Sequence, residues 1–193
     1  TTVIGAEPGT ATVAAGSATP GADELPALPP LAVDWQRTEW GGLLFWLARV
    51  PATGALAWLE TRTAGAVEQT DESALAQLLA ALAGALGVPA SDPARAAFCA
   101  GEAPAGEVLA AFADYAAAVA ASWEAWLAEA APELPPPRLN AVCRRHGRLR
   151  CEAGWIELVL ALDSVDTTTR RLGLDLDPGW LPWLACVLRI RYE

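Results

Sequence analysis

The pattern of apolar and polar positions divides the chain into a stretch without a period, a helical middle and an alternating C-terminal third. Residues 1–33 are almost all Ala, Gly, Thr, Pro, Ser and Val, and they show neither a helical nor a strand period. Small side chains bury too little area to offset the entropy lost when a chain becomes ordered. We therefore expect residues 1–33 to be a disordered tail or linker.

The first strongly apolar segment predicts a short helix that is buried on all sides. Residues 43–47 read Leu-Leu-Phe-Trp-Leu, so a helix through them has no polar face. Gly41 and Gly42 stand in front of this segment and would permit a close backbone approach at its start. A second short helix is predicted over residues 54–60.

Two longer segments have the period of amphipathic helices. The first starts at Asp71, a possible N-cap, and repeats leucine along one face up to Leu86. The second runs from about residue 104 to residue 129. Its apolar stripe consists of Val108, Phe112, Tyr115, Val119, Trp123 and Trp126. We expect the two stripes to pack together; a membrane or a partner's groove is the alternative for the second. Between them, Asp92-Pro93 indicates the cap and first residue of a short helix.

After the prolines at residues 132–137 the period changes from 3.6 to 2, which predicts strands. The alternating segments are residues 139–144, 148–151, 156–162 and 188–192. His146-Gly147 suits a tight turn, Asp163 can cap a short helix, and residues 177–179 suit a type II turn.

One side of these strands is apolar, and the other carries basic residues. The outward-facing arginines are Arg144, Arg148, Arg150, Arg189 and Arg191. The sequence therefore predicts an α+β fold with a helical region over residues 34–135. Residues 136–193 are predicted to form a small, mostly antiparallel sheet of three or four strands, with a short helix, packed on the helices.

Charge and composition narrow the class of protein. The formal net charge of −10 argues against nucleic-acid binding, which needs a basic footprint. No apolar run approaches the roughly 20 residues of a membrane span. The N-terminus lacks a signal-peptide pattern, and four cysteines are few for a disulfide scaffold. These features predict a cytoplasmic protein with reduced thiols. Because residue 1 is Thr, we expect the chain to be processed, trimmed or a fragment.

Two groups of residues have metal-ligand chemistry, but each has a simpler interpretation. Cys143, His146, Cys151 and Cys186 could hold zinc, yet their spacing matches no standard zinc pair. Alternation also puts the three cysteines on apolar faces, where buried thiols need no ligand. The acidic residues Asp163, Asp166, Asp175 and Asp177 could bind Ca²⁺ or Mg²⁺, but capping, turns and arginine pairing explain them equally well. We therefore expect no metal and no cofactor.

Catalytic signatures are sparse. The chain has one histidine, and it lacks a nucleophile elbow, a P-loop and a dinucleotide fingerprint. A pair of catalytic carboxylates leaves no local signature and stays open. The sequence therefore favours a protein that is not an enzyme.

Three segments together resemble a known group of proteins. They are Glu39-Trp-Gly-Gly-Leu-Leu-Phe-Trp46, then Asp92-Pro-Ala-Arg-Ala-Ala-Phe98, and residues 162–184 with their Leu-Asp-Ser-Val-Asp start and Pro-Gly-Trp-Leu-Pro-Trp-Leu end. This arrangement is similar to uncharacterised proteins encoded beside bacterial extracellular contractile injection systems, which are phage-tail-like particles. The likeness covers residues 34–193 loosely and residues 155–193 best. It implies a cytoplasmic accessory or structural component with protein partners, and no residue roles to carry over.

The leading hypothesis is thus a non-catalytic assembly or interaction component of such a particle. The outward arginines above, with Trp180 and Trp183, are its candidate interaction residues. The alternative is a ligand- or peptide-binding module that uses a tryptophan-rich surface of Trp155, Trp180 and Trp183. Exposure of Trp180 and Trp183 around a concavity would favour the alternative, whereas burial would make them structural.

Overall fold

The computed structural model describes residues 34–63, 71–100 and 108–193, which lie within one compact unit, Val33–Glu193. The tail expected over residues 1–33 lies outside the described residues. The Asp71 side chain is also outside the described part of the structure, so its expected capping role stays a prediction.

Helices fill most of the first two thirds of the described chain. The α-helices are α1 (Ala55–Thr63), α2 (Asp71–Ala85), α3 (Pro93–Phe98), α4 (Ala110–Ala130), α5 (Arg138–Cys143) and α6 (Thr167–Arg171). Segments of 3-10 helix cover Gly41–Thr53, Leu162–Ser164 and Pro182–Leu184. No single helix in the described ranges is long and apolar enough to cross a membrane. The consecutive helices Gly41–Thr53 and Ala55–Thr63, with a bend of 65° between them, reach that length and composition only when they are taken together.

The sheet has five strands. They are β1 (Gln36–Thr38), β2 (Gly147–Glu152), β3 (Trp155–Leu160), β4 (Gly179–Leu181) and β5 (Cys186–Tyr192), in the spatial order β1-β2-β3-β5-β4. The β3–β5 pairing is parallel, and the other three pairings are antiparallel. The α+β class and the mostly antiparallel sheet are confirmed. The strand number exceeds the predicted three or four because the sequence did not predict two three-residue strands, β1 in front of the helices and β4 at the end of the expected turn.

The 3-10 helix Gly41–Thr53 lies at the centre of the core. Residues 43–47 and Val50 are almost completely buried, as their apolar run predicts. The Trp46 ring stacks on Trp123 of α4, with 4.6 Å between centroids, and meets Trp126 edge-on at 6.4 Å. The predicted stripe of α4 therefore packs inside the protein, against this helix and against α2.

Gly41 and Gly42 bring this helix into backbone contact with the chain after α4, as expected. The Gly41 N–H donates to the Arg145 carbonyl at 2.9 Å. A Cβ on Gly42 would lie 2.1 Å from the Val142 carbonyl oxygen, which is closer than atoms can approach. Only a residue without a side chain fits at position 42.

The strand predicted over residues 139–144 is wrong, because residues 138–143 form α5. Leu139, Val142 and Cys143 are buried at helical spacing, and six residues are too few to separate a period of 2 from one of 3.6. The free amides at the start of α5 are satisfied, since Arg138 and Leu139 donate their N–H groups to the Glu124 carboxylate at 3.0 and 2.8 Å.

Two details of the C-terminal third also differ from the prediction. The short helix α6 is capped by Asp166, whose Oδ1 accepts from the Thr169 N–H at 2.7 Å, and not by Asp163. Leu162, assigned to the apolar face of a strand, lies after β3 and is 66% exposed. Gly179 adopts the positive φ of 66° that the predicted turn requires.

Asp92 holds β1 against the helices. As predicted, it caps α3 in front of Pro93, accepting from the Ala94 N–H at 2.8 Å. The same carboxylate accepts from the Thr38 hydroxyl and from the Glu39 N–H. One side chain therefore starts a helix and fixes the edge strand of the sheet.

We expect Gly42→Ala to lower the free energy of unfolding by about 1–3 kcal/mol or more, because the added methyl group must displace α5. Gly84→Ala is the matched control. Its nearest neighbour, Arg95 Nη2, is 3.9 Å from the added Cβ. Since alanine is the better helix former, the control should gain up to about 1 kcal/mol. Urea unfolding measures both, and equal stability of the two variants would contradict the close contact.

We expect Asp166→Asn to reduce the loss of stability in acid. Burial raises the pKa of Asp166, but hydrogen bonds from Thr169 and the charge of Arg145, 3.5 Å away, outweigh burial and hold the pKa below its ordinary value of 3.8. The stabilisation from this carboxylate is therefore complete above pH 3.8 and is lost as the pH falls towards the lowered value.

The measurement is the free energy of unfolding from about pH 5 down to about pH 2.5, across the window in which the carboxylate titrates. Asp163→Asn is the control, because the Asp163 side chain has no hydrogen bond or ion pair within the described ranges. An Asp166→Asn curve that runs parallel to the wild-type curve would contradict the assignment.

Candidate interaction surface

The strand register separates the sheet into a core face and an outer face. Leu149, Ile156, Leu158 and Leu188 point into the core. The side chains of alternate positions form the outer face, which consists of Arg37, Arg148, Arg150, Glu152, Trp155, Glu157, Val159, Trp180, Val187, Arg189 and Arg191. Basic and aromatic side chains therefore share one surface.

A buried carboxylate organises the arginines of the outer face. Glu157 is only 7% exposed. Its Oε2 lies 3.0 Å from Arg150 Nη2, and its Oε1 lies 2.7 Å from Arg191 Nη2. Glu193 then joins Arg191 to Arg148 at 3.2 and 3.3 Å. The network spans three strands, and it balances a charge that would be costly to bury alone.

The remaining arginines of this face differ in their pairing. Arg150 also reaches Glu152 at 3.6 Å, and Arg189 lies 3.9 Å from Asp177. Arg37 has no acidic group within 4.0 Å in the described part of the chain. The outer face is thus a set of mostly paired arginines with one unpaired cation at its β1 edge.

Tryptophans lie at both edges of the outer face. Register aligns Trp155, Val187 and Trp180 in one row across β3, β5 and β4. Trp180 is 56% exposed. At the opposite edge Trp35 is 38% exposed, and the guanidinium groups of Arg148 and Arg150 lie 5.6 and 5.3 Å from its ring centroid. Large apolar surface is therefore available beside ordered charge.

The structure brings together most of the predicted interaction residues. Arg148, Arg150, Arg189 and Arg191 lie on the outer face, as strand alternation indicated, and Trp180 joins them through β4.

Two predicted interaction residues lie elsewhere. Arg144 follows α5, pairs with Glu39 at 3.6 Å and belongs to no strand. Trp183 is half-buried in the 3-10 segment Pro182–Leu184 and packs against the core, so it plays a structural part. The tryptophan-rich surface is thus divided, and Trp180 is its exposed member.

Sequence reasoning missed Trp35 and Arg37. Arg37 contributes to the outer face through β1, which has only three residues, and Trp35 lies directly before that strand, near Arg148 and Arg150. The alternation of Trp35, Arg37 and Glu39 with Gln36 and Thr38 was the available signal, but it was too short to outweigh the apolar helix that follows.

A cavity of about 610 Å³ opens at the corner of the outer face where β1, β2 and the end of β3 meet. Its lining residues are Arg37, Thr38, Glu39, Asp92, His146, Gly147, Arg148, Val159, Leu160, Ala161 and Glu193. Polar groups therefore surround an apolar floor.

The cysteines show no sign of a reactive or metal-bound state in the described residues. All four are free thiols. Burial raises the pKa of Cys99 to about 11 and that of Cys143 to about 12. Cys186 is buried as predicted. Register pairs Cys151 with Ile156 on the core side of the sheet, as expected, but the residue is exposed at the end of β2. Burial of its thiol and the neighbouring Cys186 still raise the pKa of Cys151 to about 11.

No group of three His, Cys, Asp or Glu side chains in the described ranges could hold a metal ion. The expected lack of a metal stays a prediction.

We expect Cys151 to give the one fast phase with a thiol reagent in the folded protein, because it is the exposed member of the four cysteines. At about pH 8 that phase should still be slower than for a free thiol, since burial and the neighbouring Cys186 raise the pKa of Cys151 to about 11 and a protonated thiol is a poor nucleophile. All four thiols should react after unfolding without reductant. Cys151→Ser, the matched variant, should abolish the fast phase. Two fast thiols in the folded protein, or fewer than four after unfolding, would contradict this assignment.

Comparison of the chain with protein-family models, with curated proteins and with solved structures gives no match.

Proposed function

We propose that this protein is a non-catalytic interaction component that binds a protein partner through the outer face of its sheet. Following the resemblance described above, we propose that it acts in the assembly or structure of a contractile injection particle. The observation that carries the interaction role is the combination of exposed tryptophan and ordered arginine on one uncovered surface.

This combination has the composition of interaction hot spots. Tryptophan and arginine are over-represented among the residues that contribute most to protein–protein binding. When a partner removes an exposed indole such as that of Trp180 from water, the burial of apolar surface stabilises the complex. Because Arg150 and Arg191 are already held by Glu157, binding would cost little further side-chain entropy at these positions.

The ion pairs of the outer face also change the role that we propose for its arginines in binding a partner. An acidic partner would compete with Glu157, Glu193 and Asp177 for cations that are already neutralised. We therefore attribute most of the binding free energy to Trp180 and Trp35. The paired arginines set the orientation of the partner, as complementary charges commonly do.

The row of Trp155, Val187 and Trp180 favours a second candidate function, a peptide-binding module. Two indoles separated by one strand lie about 10 Å apart, given a strand spacing of about 4.8 Å. Such a pair can hold the apolar side chains of a short peptide. Binding by an isolated segment of the partner distinguishes this function from docking of a folded surface.

We expect Trp180→Ala to weaken capture of particle proteins from a host that encodes such a particle. A hot-spot residue contributes about 2 kcal/mol or more, which corresponds to roughly 30-fold weaker binding. Tagged wild type and variant are compared, and the recovered proteins are identified by mass spectrometry as sheath, tube or baseplate components.

Leu109→Ala is the matched control, because Leu109 is 51% exposed but lies at the start of α4, away from the sheet. Both variants are first shown to be folded. If Trp180→Ala recovers the same particle proteins as wild type and Leu109→Ala, the outer face is not the docking surface.

A further inference from the structure

We propose that the corner cavity binds a carboxylate of the protein partner, held by Arg37 and His146. This inference rests on the proposed function and names the chemistry of one contact within it. The occupant is an Asp or Glu side chain, or a chain terminus, that enters the cavity while the rest of the partner covers the tryptophans.

The acidic groups of the cavity are already committed within the chain. Asp92 accepts hydrogen bonds from the Thr38 hydroxyl and from the Glu39 and Ala94 amides. The Glu39 carboxylate pairs with Arg144 at 3.6 Å. Neutral donors thus occupy the Asp92 oxygens without cancelling its charge, whereas Arg144 balances the charge of Glu39.

Glu193, the third acid, is also neutralised. Its two carboxylate oxygens lie 3.3 Å from Arg148 and 3.2 Å from Arg191. Because the oxygens of each acid in the cavity are already bound by groups of the chain, the side chains left without a partner in the described part of the chain decide which ligand fits.

Those groups are Arg37 and His146. Both residues are exposed. Neither side chain forms a hydrogen bond or an ion pair within the described ranges. Arginine presents a planar fork of N–H donors that matches the two oxygens of a carboxylate, and an imidazole can donate one further hydrogen bond. The two unpaired side chains of the cavity can therefore bind a planar anion such as a carboxylate.

The backbone holds Arg37 in place for this contact. Arg37 lies opposite Arg148 in the β1–β2 register, and the next residue, Thr38, is fixed by the Asp92 carboxylate. Val159 contributes an apolar floor that is almost fully buried.

The size of the cavity fits a side chain with its flanking backbone better than a free ion. Its volume of about 610 Å³ lies within the range of small-molecule sites, roughly 300–1,000 Å³. A single carboxylate group fills only a fraction of that space. We therefore assign the cavity to a residue of the partner.

The test is a titration of the ¹⁵N-labelled full chain followed by NMR. The probe is N-acetyl-glutamate amide, which carries one side-chain carboxylate, and the neutral comparison is N-acetyl-glutamine amide. At constant ionic strength we expect saturable shifts at residues 36–39 and 145–148 with the glutamate probe alone. Arg37→Gln, and independently His146→Gln, should weaken binding about tenfold, in keeping with the loss of a charge-assisted contact.

Arg62→Gln is the control, because it removes the same charge from the exposed end of α1. Equal shifts with the glutamine probe, unchanged binding by Arg37→Gln, or binding of inorganic phosphate as tight as that of the glutamate probe would each overturn the assignment. Absence of probe binding by the wild-type chain, together with intact Trp180-dependent capture, would refute this inference alone. Probe binding without any effect of Trp180→Ala on capture would instead refute the proposed function.

Discussion

Contact between two pieces of backbone joins the helical part of this protein to its sheet. At Gly41 and Gly42 the central 3-10 helix touches the carbonyl groups of Val142 and Arg145 without any intervening side chain. The close approach seats Trp46 against Trp123 on one side of the helix. On the other side it brings Gly41 within reach of the Leu158 side chain in the middle of the sheet. The packing of the helices and of the sheet depends on the short distance between these two backbone segments, because an interior at crystal-like density cannot absorb an extra methyl group.

The outer face follows from a second constraint, the cost of burying a charge. Glu157 occupies an outward position in a central strand, where the neighbouring side chains cover it. A carboxylate in that place needs cations within hydrogen-bond distance, and Arg150 and Arg191 supply them. The arginines that looked in the sequence like a free basic surface are thus partly structural. Arg37 differs from them because β1 lies at the edge, out of reach of Glu157.

Local patterns predicted the parts of the fold that local chemistry determines. The Asp92-Pro93 cap, the two glycines and the stripe of α4 each follow from a steric or hydrogen-bonding rule that acts over a few residues. The α5 segment was predicted wrongly because Leu139, Val142 and Cys143 satisfy a helix as well as alternation does. Asp166 and not Asp163 caps α6, because both residues offer the same chemistry and only the path of the chain after β3 selects between them.

The parallel pairing of β3 with β5, and the entry of β1 into the sheet, depend on long-range topology that the period of apolar residues does not indicate.

The candidate surface divides in the same way. Alternation correctly placed four arginines on one face, but it did not place Trp180 there, because residues 179–181 were not recognised as a strand. It could not reveal that Glu157 neutralises two of those arginines, because its partners come from two different strands. It also could not bring Arg37 to His146, since more than 100 residues separate them along the chain.

The position of β1 has a consequence for how the protein folds. Residues 36–38 precede every described helix, yet they form the edge of a sheet whose other strands all follow α5. Pairing β1 with β2 therefore closes a loop of about 110 residues, which is entropically unfavourable until the intervening helices have become compact. Such non-local pairing is intrinsically slow to form. The edge strand, and with it the cavity at the corner of the outer face, should therefore be completed last during folding. A chain that has not packed its helices would have a four-stranded sheet with an open edge in place of the corner cavity.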